Sequence, residues 1–143
     1  MPYSPLLVNP MRAELTSCGF EELLSADDVD LFMKEKAVSG MLVINSVCGC
    51  AAGQARPGVR AAIESDARPM HLATVFAGQD IEATARARSS FPEVPPSSPS
   101  IALFKDGELV YFVPRHRIES RSAEEVARDL TDAFDRYFAA AIA

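Results

Sequence analysis

The run Met41-Leu42-Val43-Ile44-Asn45-Ser46-Val47 is apolar at nearly every position and leads straight into Cys48-Gly49-Cys50. A strand with one wet face alternates apolar and polar residues. A run without that alternation has to be covered on both faces, as in a parallel or mixed sheet between two layers of helix. Helix-forming residues follow from Ala51, so the two thiols stand where a buried strand meets a helix. Unpaired N–H groups and a partial positive charge gather at a helix N-terminus and favour a thiolate there.

The pattern extends in both directions. Asn9-Pro10 predicts the start of a short helix with Met11 and Leu15 on one face. Ser25-Ala26-Asp27-Asp28 predicts a second, carrying Val29, Phe32 and Met33 and ending near Ser39-Gly40. After the thiols, Pro57 lacks an N–H and crowds the carbonyl of Gly53, which predicts a kink or a brief break in the helix. His71 to Phe76 reads as a second buried strand, and Asp80 as the cap of a helix from Ile81 to about Arg88.

Four prolines interrupt Phe91 to Ser100. Beyond them, Ile101–Phe104 and Leu109–Val113 flank Asp106-Gly107, a strong hairpin signal. Ser122-Ala123-Glu124-Glu125 is a capping box. It opens a final helix with Val126, Leu130, Ala133, Phe134, Tyr137 and Phe138 on one face. The expected order is α, α, β, α, β, α, β, β, α. This is one α/β domain over residues 1–143, with a helical extension over 1–39 and a core over 40–143 built as a three-layer α/β/α sandwich on a mixed four-stranded sheet.

The chain has 143 residues, enough for a core that needs no disulfide or structural metal. Its net charge of −6 argues against nucleic acid or an anionic membrane as partner. Neither a signal-peptide pattern nor an apolar run of membrane-spanning length is present, so a cytoplasmic protein is expected. In that reducing compartment three cysteines are too few for a disulfide scaffold, and a close pair points to redox chemistry or metal binding.

A βαβ unit with a close cysteine pair at its first strand-to-helix junction, followed by a proline-preceded hairpin and a terminal helix, resembles the thioredoxin fold. Several stretches together resemble the bacilliredoxin family: Met11-Arg12-Ala13-Glu14-Leu15, Gly19-Phe20-Glu21-Glu22-Leu23, Val47 to Gly53, Ala55-Arg56-Pro57-Gly58 and His116 to Ala127. The resemblance implies a thioredoxin-like domain that removes bacillithiol from mixed disulfides on client proteins without a bound cofactor. Cys48 matches the attacking thiol, Cys50 the resolving one and Pro99 the cis-proline. The resemblance further implies that Ser98 pairs with an extended substrate and that a bacillithiol-disulfide reductase recycles the released thiol. Cys18 departs from the family pattern.

Gly49 tolerates the dihedrals that a bond between Cys48 and Cys50 requires, but the single-residue spacing makes such a bond strained. A strain of roughly 2 kcal/mol raises the reduction potential by roughly 40 mV. Such a pair suits mixed disulfides better than strong reductions. Gly49, Arg56, Ser98 and Pro99 are the expected substrate-binding residues, with Arg56 meeting bacillithiol carboxylates. Arg86, Arg88, Arg115 and Arg117 are alternatives for that role. Two other readings stay open. One is a general disulfide isomerase or weak reductase; the other is a non-enzymatic metal-binding or interaction module, in which Cys18, His71 or His116 would have to complete the coordination of a soft metal.

Overall fold

The structure, a computed structural model, describes residues 2–139. Its centre is β2 (Ser39–Asn45), whose side chains alternate between two apolar clusters: Met41 and Val43 face one, Leu42 and Ile44 the other. β2 runs parallel to β3 (His71–Phe76) and antiparallel to β4 (Ser100–Lys105), which pairs in turn with β5 (Glu108–Val113). Helix α3 (Arg56–Ala62) makes the crossover from β2 to β3. It shares one face of the sheet with α6 (Ala123–Tyr137), while α2 (Ala26–Glu35) and α4 (Ile81–Arg88) cover the other. The mixed sheet between two helical layers is thus present as expected.

The sheet has five strands rather than four, in the order β1-β3-β2-β4-β5. The added strand, β1, is only Glu21–Glu22, parallel to β3. Two charged residues carry no alternation, so no apolar pattern could announce it; it forms because the edge of β3 has free backbone groups to satisfy. A one-turn helix, α5 (His116–Glu119), also escaped the pattern and buries Ile118 alone.

Helix α1 starts earlier than Asn9-Pro10 predicts. It spans Pro5–Thr16, with Ser4 as N-cap accepting from the Leu6 N–H, and Pro10 lies inside it. Pro10 forfeits a bond to the carbonyl of Leu6, in the first, exposed turn where water can replace it. Helix α2 ends at Glu35, and Ser39-Gly40 already belong to β2. Asp80 occupies the N-cap of α4 without capping it. Its carboxylate accepts instead from the Phe76 N–H and, bidentately, from Arg12 of α1 at 2.8 and 2.9 Å.

Other local signals are realised in detail. Asp106 and Gly107 both have positive φ, 54° and 81°, as a type I′ hairpin turn requires. Ser122 and Glu125 exchange both capping-box bonds. Helices α3 and α6 meet at Gly58, where an added Cβ would lie 2.8 Å from Val126 Cγ1 and 3.1 Å from the Ala123 carbonyl oxygen. Gly58→Ala is expected to destabilise the protein by about 1–3 kcal/mol in urea unfolding, and Val126→Ala in the same chain to recover part of the loss.

Candidate active site

The thiols sit on the turn that leaves β2. Ser46 Oγ accepts from the Cys48 N–H at 3.1 Å, and the Ala51 and Ala52 N–H groups both point to the Cys48 carbonyl. Gly49 and Cys50 are already helical, and the helix then widens into one π-turn, Ala51–Ala55, with the Arg56 N–H donating five residues back to Ala51. Pro57 explains the break foreseen from sequence: an α-helix would need its missing N–H at Gly53, and the widened turn ends just before it.

Cys48 Sγ and Cys50 Sγ lie 2.8 Å apart, close enough for one to donate to the other. Partial burial works against ionising Cys48. It is outweighed by hydrogen bonds from the Cys50 thiol, the Ser46 hydroxyl and the N–H groups of Ala51 and Cys50, which hold the Cys48 thiol below its ordinary range. Burial pushes Cys50 up to about 11, and its bond to Cys48 and the charge there push the same way, while Arg115 pulls down. Of the two thiols, Cys48 is the one favoured as the anion, with Cys50 as its donor.

Beneath this turn lies Arg56, only 1% exposed. Its Nη1 donates to Asn45 Oδ1 and to the Ser46 carbonyl, both at 2.9 Å. Its Nε lies 3.1 Å from Glu14 Oε2 of α1, an ion-pair contact without hydrogen-bond alignment. Asn45 Oδ1 also accepts from the Ser46 N–H. This position corrects the expectation that Arg56 meets substrate: its guanidinium is spent on the protein's own carbonyls and the Glu14 carboxylate. It positions the thiol turn from below. Glu14 had no signal in the sequence, because it lies 42 positions before Arg56.

Beside Cys48 opens a cavity of about 340 Å³ whose wall includes Ser46, Gly78, Arg88, Ser98 and Arg115. The Ser98-Pro99 peptide bond is cis, as expected, and Pro99 is buried. The Ser98 carbonyl already accepts from Arg115 Nη1 at 3.3 Å, and the Ser97 carbonyl from Arg88 Nη2 at 3.2 Å. Gly49 is exposed between the thiols, with nothing within 4 Å of an added Cβ. Of the four alternative arginines, two line this cavity. The others are engaged elsewhere, Arg86 with Asp30 and Arg117 with Tyr111 and Asp129.

Cys18 lies two residues past the end of α1 with its thiol donating to the carbonyls of Leu15 and Glu14, and burial raises its pKa. His71 begins β3 and His116 is exposed at the start of α5. Among the described residues no group of three or more His, Cys, Asp or Glu side chains is placed to hold a metal. The extra ligands that a metal reading needs are not brought to Cys48 and Cys50.

The chain matches the Disulphide isomerase family over residues 3–138. A bacilliredoxin of Cytophaga hutchinsonii is 56% identical over 133 residues, covering 93% of this chain and 98% of that protein. The protein belongs to the bacilliredoxin family. Two further bacilliredoxins agree: that of Salinibacter ruber is 53% identical over 96% of this chain and 82% of its own, and that of Geobacillus kaustophilus 51% identical over 94% of each. Both family descriptions denote thiol–disulfide oxidoreductases, and among the described residues no helix is long and apolar enough to cross a membrane.

Two measurements probe this bacilliredoxin site. At pH 7 the first iodoacetamide adduct should map by mass spectrometry to Cys48. In Cys50→Ala the anion loses a donor, so the Cys48 alkylation midpoint should move to higher pH. Arg56→Leu removes two charge-assisted bonds and should lower stability by about 3 kcal/mol in urea unfolding. Arg56→Lys, which keeps the charge but not the planar fork, should recover only part of that loss.

Proposed function

We propose that the protein is a thioredoxin-like oxidoreductase of the bacterial cytoplasm that lifts bacillithiol from client proteins. The observation that carries this reading is the pair of thiols 2.8 Å apart with opposed shifts in acidity. The bacilliredoxin names of the relatives support the choice of thiol.

Cys48, as thiolate, attacks the bacillithiol sulfur of a client mixed disulfide. A new disulfide forms between Cys48 and bacillithiol, the client sulfur leaves with the bonding pair, and solvent protonates it. The same step readies the second. Once Cys48 is a disulfide its negative charge is gone, and so are two of the causes that hold Cys50 protonated; burial and the Glu119 carboxylate remain, and Arg115 still favours the anion. Cys50 then loses its proton to solvent and attacks Cys48 Sγ. That step closes the Cys48–Cys50 disulfide and expels bacillithiol as thiolate. A low-mass thiol or a dedicated reductase restores the dithiol.

The surroundings fit this order. Gly49 leaves the face between the thiols open to a bulky disulfide, and Ser98, next to the cis Pro99, stands on the cavity wall beside Cys48. Arg56 takes no part in contact; it fixes Asn45 and Ser46, and through Ser46 the nucleophile.

Cys50→Ser should accumulate a bacillithiol adduct on Cys48 by intact mass, because capture proceeds without resolution. Cys48→Ser should accept no adduct and leave a modified client unchanged. Capture by Cys50 in that variant would overturn the assignment. The Disulphide isomerase match favours a second reading, protein disulfide isomerisation by the same residues. Recovery of activity in a scrambled disulfide substrate without any bacillithiol would establish it.

A further inference from the structure

The chain as a whole is acidic, with a net charge of −6, yet the cavity beside Cys48 is lined by two arginines and by no carboxylate among the described residues. Arg88 is the unusual one. It reaches from the end of α4 and is only partly exposed, with Nη2 on the Ser97 carbonyl and a buried Nε that has no hydrogen-bond partner. Burial alone displaces its pKa, downward, so no acidic group compensates the desolvated charge. A guanidinium withdrawn from water is normally paired, because the lost hydration has to be replaced. Arg115, at the exposed rim, is partly paired through Nε with Glu119, while its charge also acts on both thiols.

We propose that Arg88, assisted by Arg115, is the recognition site for a carboxylate on the low-mass thiol that Cys48 removes, which makes the site selective for anionic thiol adducts over uncharged ones. The inference rests on thiol transfer to Cys48 as set out above. A cavity of about 340 Å³ suits a small thiol rather than a folded chain. A carboxylate seated there meets the positive charge of Arg88 and Arg115 on the cavity wall, beside Cys48. The covalent step is unchanged: Cys48 bonds to the adduct sulfur, the client sulfur leaves as thiolate and takes a proton from solvent, and no outside oxidant enters. With its carboxylate anchored, the adduct presents its own sulfur, rather than the client's, to Cys48.

The test is single-turnover release of a client thiol by the reduced protein. One client carries bacillithiol; the other carries bacillithiol with its carboxylates esterified, similar in shape but without the negative charge. The wild type should release the free-acid adduct about tenfold faster, and the preference should shrink as salt is raised. Arg88→Gln should lower the ratio of the two rates about tenfold. Arg115→Gln, at an exposed position that folding does not depend on, should lower it about threefold. Arg86→Gln, two residues earlier in α4 and paired with Asp30, should leave the ratio as in the wild type. Equal wild-type rates on the two adducts, or a ratio untouched by both Arg88→Gln and Arg115→Gln, would overturn the proposal. A wild type that releases neither adduct marks instead the failure of the thiol-transfer reading.

Discussion

One buried guanidinium holds the working end of this molecule together. Arg56 lies under the point where β2 ends, and from there it reaches the Asn45 side chain, the Ser46 carbonyl and the Glu14 carboxylate. Three elements that are far apart in the chain, α1, β2 and α3, therefore share a single cation. A turn at a strand end has free backbone groups, and burying them unpaired is costly. Arg56 supplies those partners in one rigid plane. What stands above it, the Ser46 hydroxyl and the Cys48 amide, takes its geometry from that plane.

The sheet and the thiols divide the labour in a physically simple way. Both faces of β2 are packed, so the strand cannot slip register without moving an entire apolar set, and its end point is well defined. The helix that follows widens into a π-turn at Ala51–Ala55 because Pro57 cannot donate. A strand fixed by packing and a π-turn fixed by a missing donor leave the five residues between them, 46–50, little freedom.

Much of this was legible in the sequence, and the parts that were not have physical reasons. The unalternating run at Met41–Val47 announced the buried strand, Asp106-Gly107 the hairpin and Ser122 to Glu125 the cap of the last helix, because each is a local preference written in neighbouring residues. Cys48 and Cys50 were readable for the same reason. Arg56 was legible only as a charge near the thiols and so was read as a substrate contact, since its partners Asn45, Ser46 and Glu14 are set by tertiary packing. The pairing of Arg88 with Arg115 across the cavity joins residues 27 positions apart, and β1 rests on backbone groups of β3 rather than on any pattern of its own.

That two-residue strand also decides how the molecule behaves toward other chains. Without it, β3 would present its unpaired amides and carbonyls along a flank packed with apolar side chains on both faces, a template for adding a foreign strand. Glu21 and Glu22 occupy the middle of that flank, and the following Leu23 N–H takes the Thr74 carbonyl. Each glutamate is matched to a cation of its own chain, Glu21 to Lys36 and Glu22 to Arg12. A strand arriving there would have to displace two ion pairs and bring its backbone against carboxylates, so the border of the sheet is guarded against self-assembly by its shortest element.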